Sequence, residues 1–244
     1  MNLILTSSLG GASGVNGIRV PSVLIEANGL LDKIRTLWPD NARVLMICSA
    51  PDDYMKNDSV IACFEQSFPM SGLSYKTLEI CDDRNESVAD DISRKDVIIL
   101  IGGHVPTQNR FFAKIGLKEK LKEYNGLVIA WSAGSMNCAD IVYAGPEFPG
   151  EAIDPEYQRW LPGLGLTDIN IFPHFQSLRD EMLDGMRLIE DITFPDSVRH
   201  ELIALNDGSY IVSDESGETI YGEAYSIKDG VIKQICSDGW SVKL

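Results

Sequence analysis

The sequence predicts an α/β protein, one domain over residues 1–244, with a mainly parallel doubly wound sheet, flanking helices and C-terminal β-hairpins. Short β-branched apolar runs alternate with helical patterns along most of the chain, the pattern expected of strands joined by crossover helices. Two of those runs, Arg43-Val44-Leu45-Met46-Ile47-Cys48 and Val97-Ile98-Ile99-Leu100-Ile101, are apolar almost throughout, as in strands covered on both faces. From Tyr210 onward the pattern changes to alternation, and Lys228-Asp229-Gly230 has the residues of a hairpin turn. No internal repeat, low-complexity tract or linker divides the chain.

In order, Leu3-Ile4-Leu5-Thr6 is a first strand, followed by a loop of small residues over 7–17. That loop has neither the lysine of a P-loop nor the glycine spacing of a dinucleotide site. Apolar recurrences at Val23, Leu24, Leu30, Leu31, Ile34 and Leu37 predict an amphipathic helix over 20–37. Pro51-Asp52-Asp53 suits a helix start, with residues 61–68 continuing it to Pro69. A strand over 74–80, a polar turn over 81–86 and a helix near 87–93 lead to the run at Val97. Residues 111–124 read as one helix with Lys114, Lys118, Lys120 and Lys122 on a solvated face. Residues 143–165, rich in Gly and Pro, make a connection long enough to be a functional loop or flap. Ile169-Asn170-Ile171-Phe172 is a short strand, 178–191 a helix, and 201–205 a strand ending in Asn206-Asp207-Gly208-Ser209.

Composition narrows the function classes. A formal net charge of −15 disfavours nucleic acid and anionic membrane surfaces as partners. The longest apolar runs fall short of a membrane span, and the N-terminal stretch lacks a basic leader, so a cytoplasmic location is expected. The five cysteines are scattered without metal-ligand spacing and read as reduced core thiols. Three isolated histidines offer no paired metal ligands, and neither a metal nor a cofactor is expected.

The most informative stretch is Leu127-Val128-Ile129-Ala130-Trp131-Ser132-Ala133-Gly134-Ser135. An apolar strand stops at a serine, and small residues follow where the next element must start close by. This is the local grammar of a nucleophile elbow, with Ala130 and Gly134 at its two small positions. In a parallel sheet the carboxyl ends of the strands share one edge, so Gly102-Gly103-His104, which follows the run at Val97, belongs beside Ser132. The N–H groups of Gly103 and Ala133 are candidate oxyanion donors, and His104 a candidate for facing substrate. Of the other histidines, His200 precedes a strand, whereas His174 ends one and is the candidate base. Asp207, at the end of the next strand, is the candidate for orienting it; Asp140 and Asp168 stand at the opposite ends of their elements.

Gly102-Gly103 with Thr107-Gln108, then Ala130-Trp131-Ser132-Ala133-Gly134-Ser135, then Phe172-Pro173-His174-Phe175, then Asp207-Gly208 resemble, in this order, the motifs of the peptidase E family. That family comprises aspartyl dipeptidases and their relatives, cyanophycinases among them. The resemblance runs from about residue 43 to 213 and implies a sheet similar to the class I glutamine amidotransferases. It implies a serine peptidase acting on dipeptides or short peptides, with Ser132 as nucleophile, His174 as base, and Gly103 with Ala133 as oxyanion donors. Monomers and homodimers both occur among such proteins. The chain departs from the pattern in three places. His104 stands where the family commonly has asparagine, and Asp207 where it usually has glutamate. Of the arginines that follow the histidine in aspartyl dipeptidases, only Arg179 and Arg187 are present to hold an acidic N-terminal side chain. The alternatives are an isopeptide or amide hydrolase of the cyanophycinase type, or a degenerate relative that binds a peptide without cleaving it.

Overall fold

A computed structural model describes residues 1–15 and 18–244. Strand β1 (Asn2–Thr6) is followed by a hairpin, β2 (Gly10–Val15) with β3 (Ile18–Leu24), where the sequence pattern suggested a loop and the start of a helix. Asn16 and Gly17, at the end of that expected loop, lie outside the described residues. The helix is confined to α1 (Leu30–Leu37), because Asn28 and Gly29 take left-handed φ values of 54° and 76° that no right-handed helix runs through.

Next come β4 (Ala42–Ile47), α2 (Tyr54–Met70), β5 (Tyr75–Cys81), a 3-10 stretch (Glu86–Arg94) and β6 (Val97–Leu100), in the expected order. Asp53 caps α2 by accepting the Lys56 N–H at 3.1 Å. The lysine-rich segment is two helices, α3 (Val105–Lys114) and α4 (Leu117–Leu121), because Gly116 turns the chain at φ 64°. Strand β7 (Leu127–Trp131) leads into α5 (Ala133–Met136), a single turn. Strand β8 (Ile141–Tyr143) pairs with β9 (Trp160–Pro162) and closes the base of the long connection.

After β10 (Asn170–Phe172) and α6 (Phe175–Leu178) the chain forms a hairpin, β11 (Met182–Leu183) with β12 (Met186–Arg187), not the expected helix over 178–191. Asp184 and Gly185 both have positive φ, 52° and 82°, the geometry of a two-residue hairpin turn. A π-helical stretch (Leu188–Thr193), α7 (Phe194–Asp196), and strands β13 (Leu202–Leu205), β14 (Tyr210–Asp214), β15 (Gly217–Tyr221), β16 (Ala224–Lys228), β17 (Val231–Cys236) and β18 (Ser241–Lys243) complete the chain.

The central sheet has the order β18-β15-β14-β1-β7-β6-β4-β5. Strands β1, β7, β6, β4 and β5 are parallel, and β14, β15 and β18 extend the sheet antiparallel beyond β1. Both faces of the parallel part are covered, and Val128, Ile129, Ile98 and Ile99 are almost wholly buried. Each such side chain contributes about 1.5–3 kcal/mol of burial free energy.

The strands that precede His174 and Asp207 belong to a second sheet, β10-β13-β16-β17, and not to the central one. Alternate residues of β10 and β13 serve two cores: Ile171, Ile203 and Leu205 join the main core, while Phe172, Leu202 and Ala204 pack with Tyr143, Phe175 and Leu188. This double duty explains why those short strands are apolar at nearly every position. Among the described residues, no helix is long and apolar enough to cross a membrane.

Candidate active site

Ser132 sits between β7 and α5 with φ 51° and ψ −123°, a backbone conformation that costs a non-glycine residue roughly 1–3 kcal/mol. Its surroundings hold it there. The Ser132 N–H donates to the Thr6 carbonyl at 3.0 Å. The buried Ser135 hydroxyl accepts the Thr6 N–H at 3.1 Å and lies 2.7 Å from the Ala130 oxygen, tying β1, β7 and α5 together. Gly134 is tight against β6: a Cβ there would sit 2.3 Å from the Leu100 carbonyl oxygen. The small residues of the motif are therefore demanded by close approach of the helix to the sheet.

The imidazole of His174 lies between Ser132 and Asp207. Its Nε2 is 3.0 Å from Ser132 Oγ, and its Nδ1 is 2.7 Å from Asp207 Oδ1. His174 itself takes a left-handed conformation, φ 56° and ψ 30°, at the start of α6. Two residues outside the sequence-based candidates brace the pair. The Ser7 hydroxyl donates to Asp207 Oδ1 at 2.7 Å and accepts the His174 N–H at 2.7 Å. Gln176 donates its amide to Asp207 Oδ2 at 2.8 Å, and its side-chain oxygen accepts the Asp207 N–H at 3.0 Å. Ser7 follows β1 at the same sheet edge as Ser132, so the edge argument that selected Gly103 also reaches it. Gln176 had only its place two residues after His174 as a signal.

Partial burial works to raise the Asp207 pKa, but hydrogen bonds from His174, Ser7 and Gln176 together with the charge on His174 outweigh it. The carboxyl is held below its ordinary value of 3.8 and is ionised at neutral pH. An ionised carboxylate at Nδ1 favours the tautomer protonated there. That leaves the Nε2 lone pair directed at the Ser132 hydroxyl, the arrangement needed to take its proton during attack on a carbonyl.

Gly102 and Gly103 pass close to this centre. A Cβ on Gly102 would lie 2.7 Å from the Trp131 ring and 2.9 Å from Ser132 Cβ, and one on Gly103 would lie 2.2 Å from Ser49 Oγ. The Ser49 hydroxyl donates to the Gly102 carbonyl at 2.7 Å. In a trans peptide the C=O and N–H point opposite ways, so this bond turns the Gly103 N–H away from Ser49. Neither the Gly103 nor the Ala133 N–H donates to another group among the described residues. The Thr107-Gln108 pair secures the loop: Gln108 is fully buried, donates to the Ile101 carbonyl, and accepts from the Asn137 amide at 3.1 Å.

His104 has a different place from the expected one. Its Nδ1 is 2.8 Å from Thr107 Oγ1, its Nε2 is 3.0 Å from Glu151 Oε1, and its ring packs on Phe148 at 4.6 Å between centroids. With both nitrogens engaged, the ring has none to offer a substrate. Glu151 Oε2 accepts the N–H groups of Glu147 and Phe148 at 2.8 and 2.9 Å. His104 thus fastens the loop over 144–159 to the glycine turn. On its other side that loop is held by Asp184, whose carboxylate accepts the Gly150 and Ala152 N–H groups at 2.8 and 3.1 Å.

Loop 144–159 and hairpin β11–β12 form two walls of a cleft of about 320 Å³ that opens onto Ser132 and His174. Much of its lining is apolar, with Met136, Phe172, Leu178, Leu183 and Leu188, and two carboxylates, Glu147 and Glu181, also line it. The arginines expected to bind substrate do not line it. Arg179 is exposed, and Arg187 is held by Asp191 in a fork of 2.8 and 3.1 Å on the surface. Asp140 pairs with Lys118 at 3.0 Å, and His200 stacks on Trp160.

A strained serine at a strand-to-helix turn on the edge of a mainly parallel sheet, with a histidine bonded to it and a braced carboxylate behind, is an arrangement shared by α/β enzymes of the hydrolase class. The model of peptidase family S51 matches residues 26–220, and the chain belongs to that family. A crystal structure of a Listeria monocytogenes EGD-e protein, provisionally named peptidase E, has the same fold. It superposes with a TM-score of 0.58 at 14% identity, covering 96% of this chain and 98% of that one. No curated protein matches the chain in sequence. Family membership supports a peptidase.

Proposed function

We propose that the protein is a serine peptidase that hydrolyses dipeptides or other short peptides. The continuous contact from Ser132 through His174 to Asp207 is the observation behind this reading. Ser132 Oγ attacks the scissile carbonyl while His174 Nε2 takes its proton. The N–H groups of Gly103 and Ala133 receive the negative charge that develops on the carbonyl oxygen. His174 then returns the proton to the leaving amine, and water activated at the same nitrogen releases the acyl group from Ser132. Asp207 holds the imidazole in the required tautomer. The walled cleft suits a short chain and excludes folded proteins. An N-terminal aspartate preference calls for a cation in the cleft, so an acidic first residue is not part of the proposal.

The test is hydrolysis of a dipeptide panel, Asp-X beside neutral X-Y, by the wild type and by Ser132→Ala. Turnover of at least one peptide by the wild type is expected, with a loss of about 10⁴-fold or more in the variant. Turnover that survives in the variant would remove Ser132 from the mechanism.

A further inference from the structure

We infer that the cleft selects peptides whose first residue carries a free α-ammonium group and an apolar side chain, with Glu147 holding the ammonium. The inference rests on the serine-peptidase reading above and names the substrate class of that site.

Glu147 lines the same cleft as Ser132 and His174, and neither lysine nor arginine lines it to neutralise the carboxylate. Glu151, next to it, is already occupied by His104 and by two loop amides. Glu147 is open to solvent but lies in a concavity, where surrounding protein displaces enough water to push its carboxyl up to about 7. The nearby charge of Glu151 adds to the rise, while the Val105 amide and His174 oppose it. A carboxylate that desolvation and a like charge both disfavour is the natural partner of an incoming cation, which relieves both.

The rest of the wall decides what the cation is attached to. Met136, Phe172, Leu178, Leu183 and Leu188 offer an apolar surface, and a volume of about 320 Å³ lies near the lower end of small-molecule sites. One residue and its scissile bond fit that description better than a long peptide does. An acidic side chain placed there would meet Glu147 and Glu181 with no lysine or arginine to receive it. An acylated amine would cover the Glu147 carboxylate while leaving it unpaired, at the cost of its hydration.

The experiment compares Leu-Leu, Asp-Leu, N-acetyl-Leu-Leu and Nα-acetyl-Lys-Leu as substrates of the full chain, its Glu147→Gln variant and the conservative Glu147→Asp. A fluorophosphonate label on wild-type Ser132 reports the nucleophile independently. The expected result is a kcat/KM for Leu-Leu about 10- to 100-fold above the other three. Glu147→Gln raises KM for Leu-Leu by a similar factor, with the loss falling on KM more than on kcat, and Glu147→Asp restores part of it. Equal cleavage of Leu-Leu and its acetylated form, a preference for Asp-Leu, or an unchanged KM in Glu147→Gln overturns the inference. A preference for Nα-acetyl-Lys-Leu overturns it too, since the cation would then come from the side chain. A labelled Ser132 with no dipeptide cleaved sinks the inference but leaves the nucleophile. Absence of both label and cleavage removes the serine-peptidase reading as well.

Discussion

Ser7 contributes no proton or electron pair to the reacting bond, yet its hydroxyl touches both the Asp207 carboxylate and the His174 backbone. Ser7→Ala removes one of the hydrogen bonds that hold Asp207 ionised and also loosens the turn that carries the imidazole. A fall in kcat of about tenfold is expected, as for one lost hydrogen bond to a charged group. Asp207→Asn should cost far more, about 10³- to 10⁴-fold, because an amide no longer stabilises the charged imidazole or its tautomer. Steady-state kinetics of both variants on the best dipeptide check the ranking, and an equal loss would mean that Ser7 does more than brace. At this scale Ser132, His174 and Asp207 were legible because each ends an apolar strand. The edge rule accounts for Gly103 and Ser7 beside Ser132, whereas His174 and Asp207 come from the ends of β10 and β13 in the second sheet. Gln176 was not legible, since its bonds to Asp207 join two loops in a way that no local pattern encodes, and neither was the place of Glu147 in the cleft. Arg179 and Arg187 illustrate the converse: they were the arginines available after the histidine where the family's pattern is not matched, and open solvent and a nearby aspartate claim them.

Among the elements, loop 144–159 is held from several sides, by Asp184, by Arg159 on Asp196 and by Glu151. Glu151 supplies three of its contacts, to His104 and to the amides of Glu147 and Phe148. In Glu151→Ala those two amides lose their acceptor. Hydrogen exchange at Glu147 and Phe148 is expected to accelerate about tenfold or more, the equivalent of roughly 1.4 kcal/mol of local opening. An unchanged rate would mean that the β8–β9 ladder and the Asp184 bonds fix the loop without Glu151. Two of the departures from helical patterning share a cause. The segments over 20–37 and 178–191 both have apolar residues at helical spacing. Asn28-Gly29 and Asp184-Gly185 override it by taking positive φ. Asp-Gly in particular was a turn signal that the apolar periodicity concealed.

For the whole molecule, the sequence revealed the parallel sheet but not its division. Strands β10 and β13 are apolar on both faces, as central strands are, because they lie between two cores and not within one sheet. The abundance of acid sets the pH response. Asp58, Asp82, Asp96, Asp191 and Asp207 are all held below their ordinary value by hydrogen bonds and ion pairs, chiefly with Arg84, Arg43, Arg187 and His174. A carboxyl whose folded value is depressed stabilises the fold above its unfolded value, near 3.8, and that stability is lost as pH falls through the folded values. Glu147 has the opposite sign, weakening the fold as pH rises through about 7. Urea melts between pH 5 and pH 2 should therefore show a midpoint that drops steeply in acid. A flat midpoint over that range would mean that the unfolded chain keeps the same pairings.

Asp184 joins the tip of hairpin β11–β12 to the backbone of loop 144–159, so two walls of the cleft are fastened to each other as well as to the sheets. Ser132, Asp207 and Ser7 lie on neither wall. Such a division lets the walls vary by mutation, lengthening or exchanging side chains, while the reacting groups stay where they are. Exchanging one wall pair for another should therefore change which ligands enter the cleft while leaving the contacts among Ser132, His174 and Asp207 as they are.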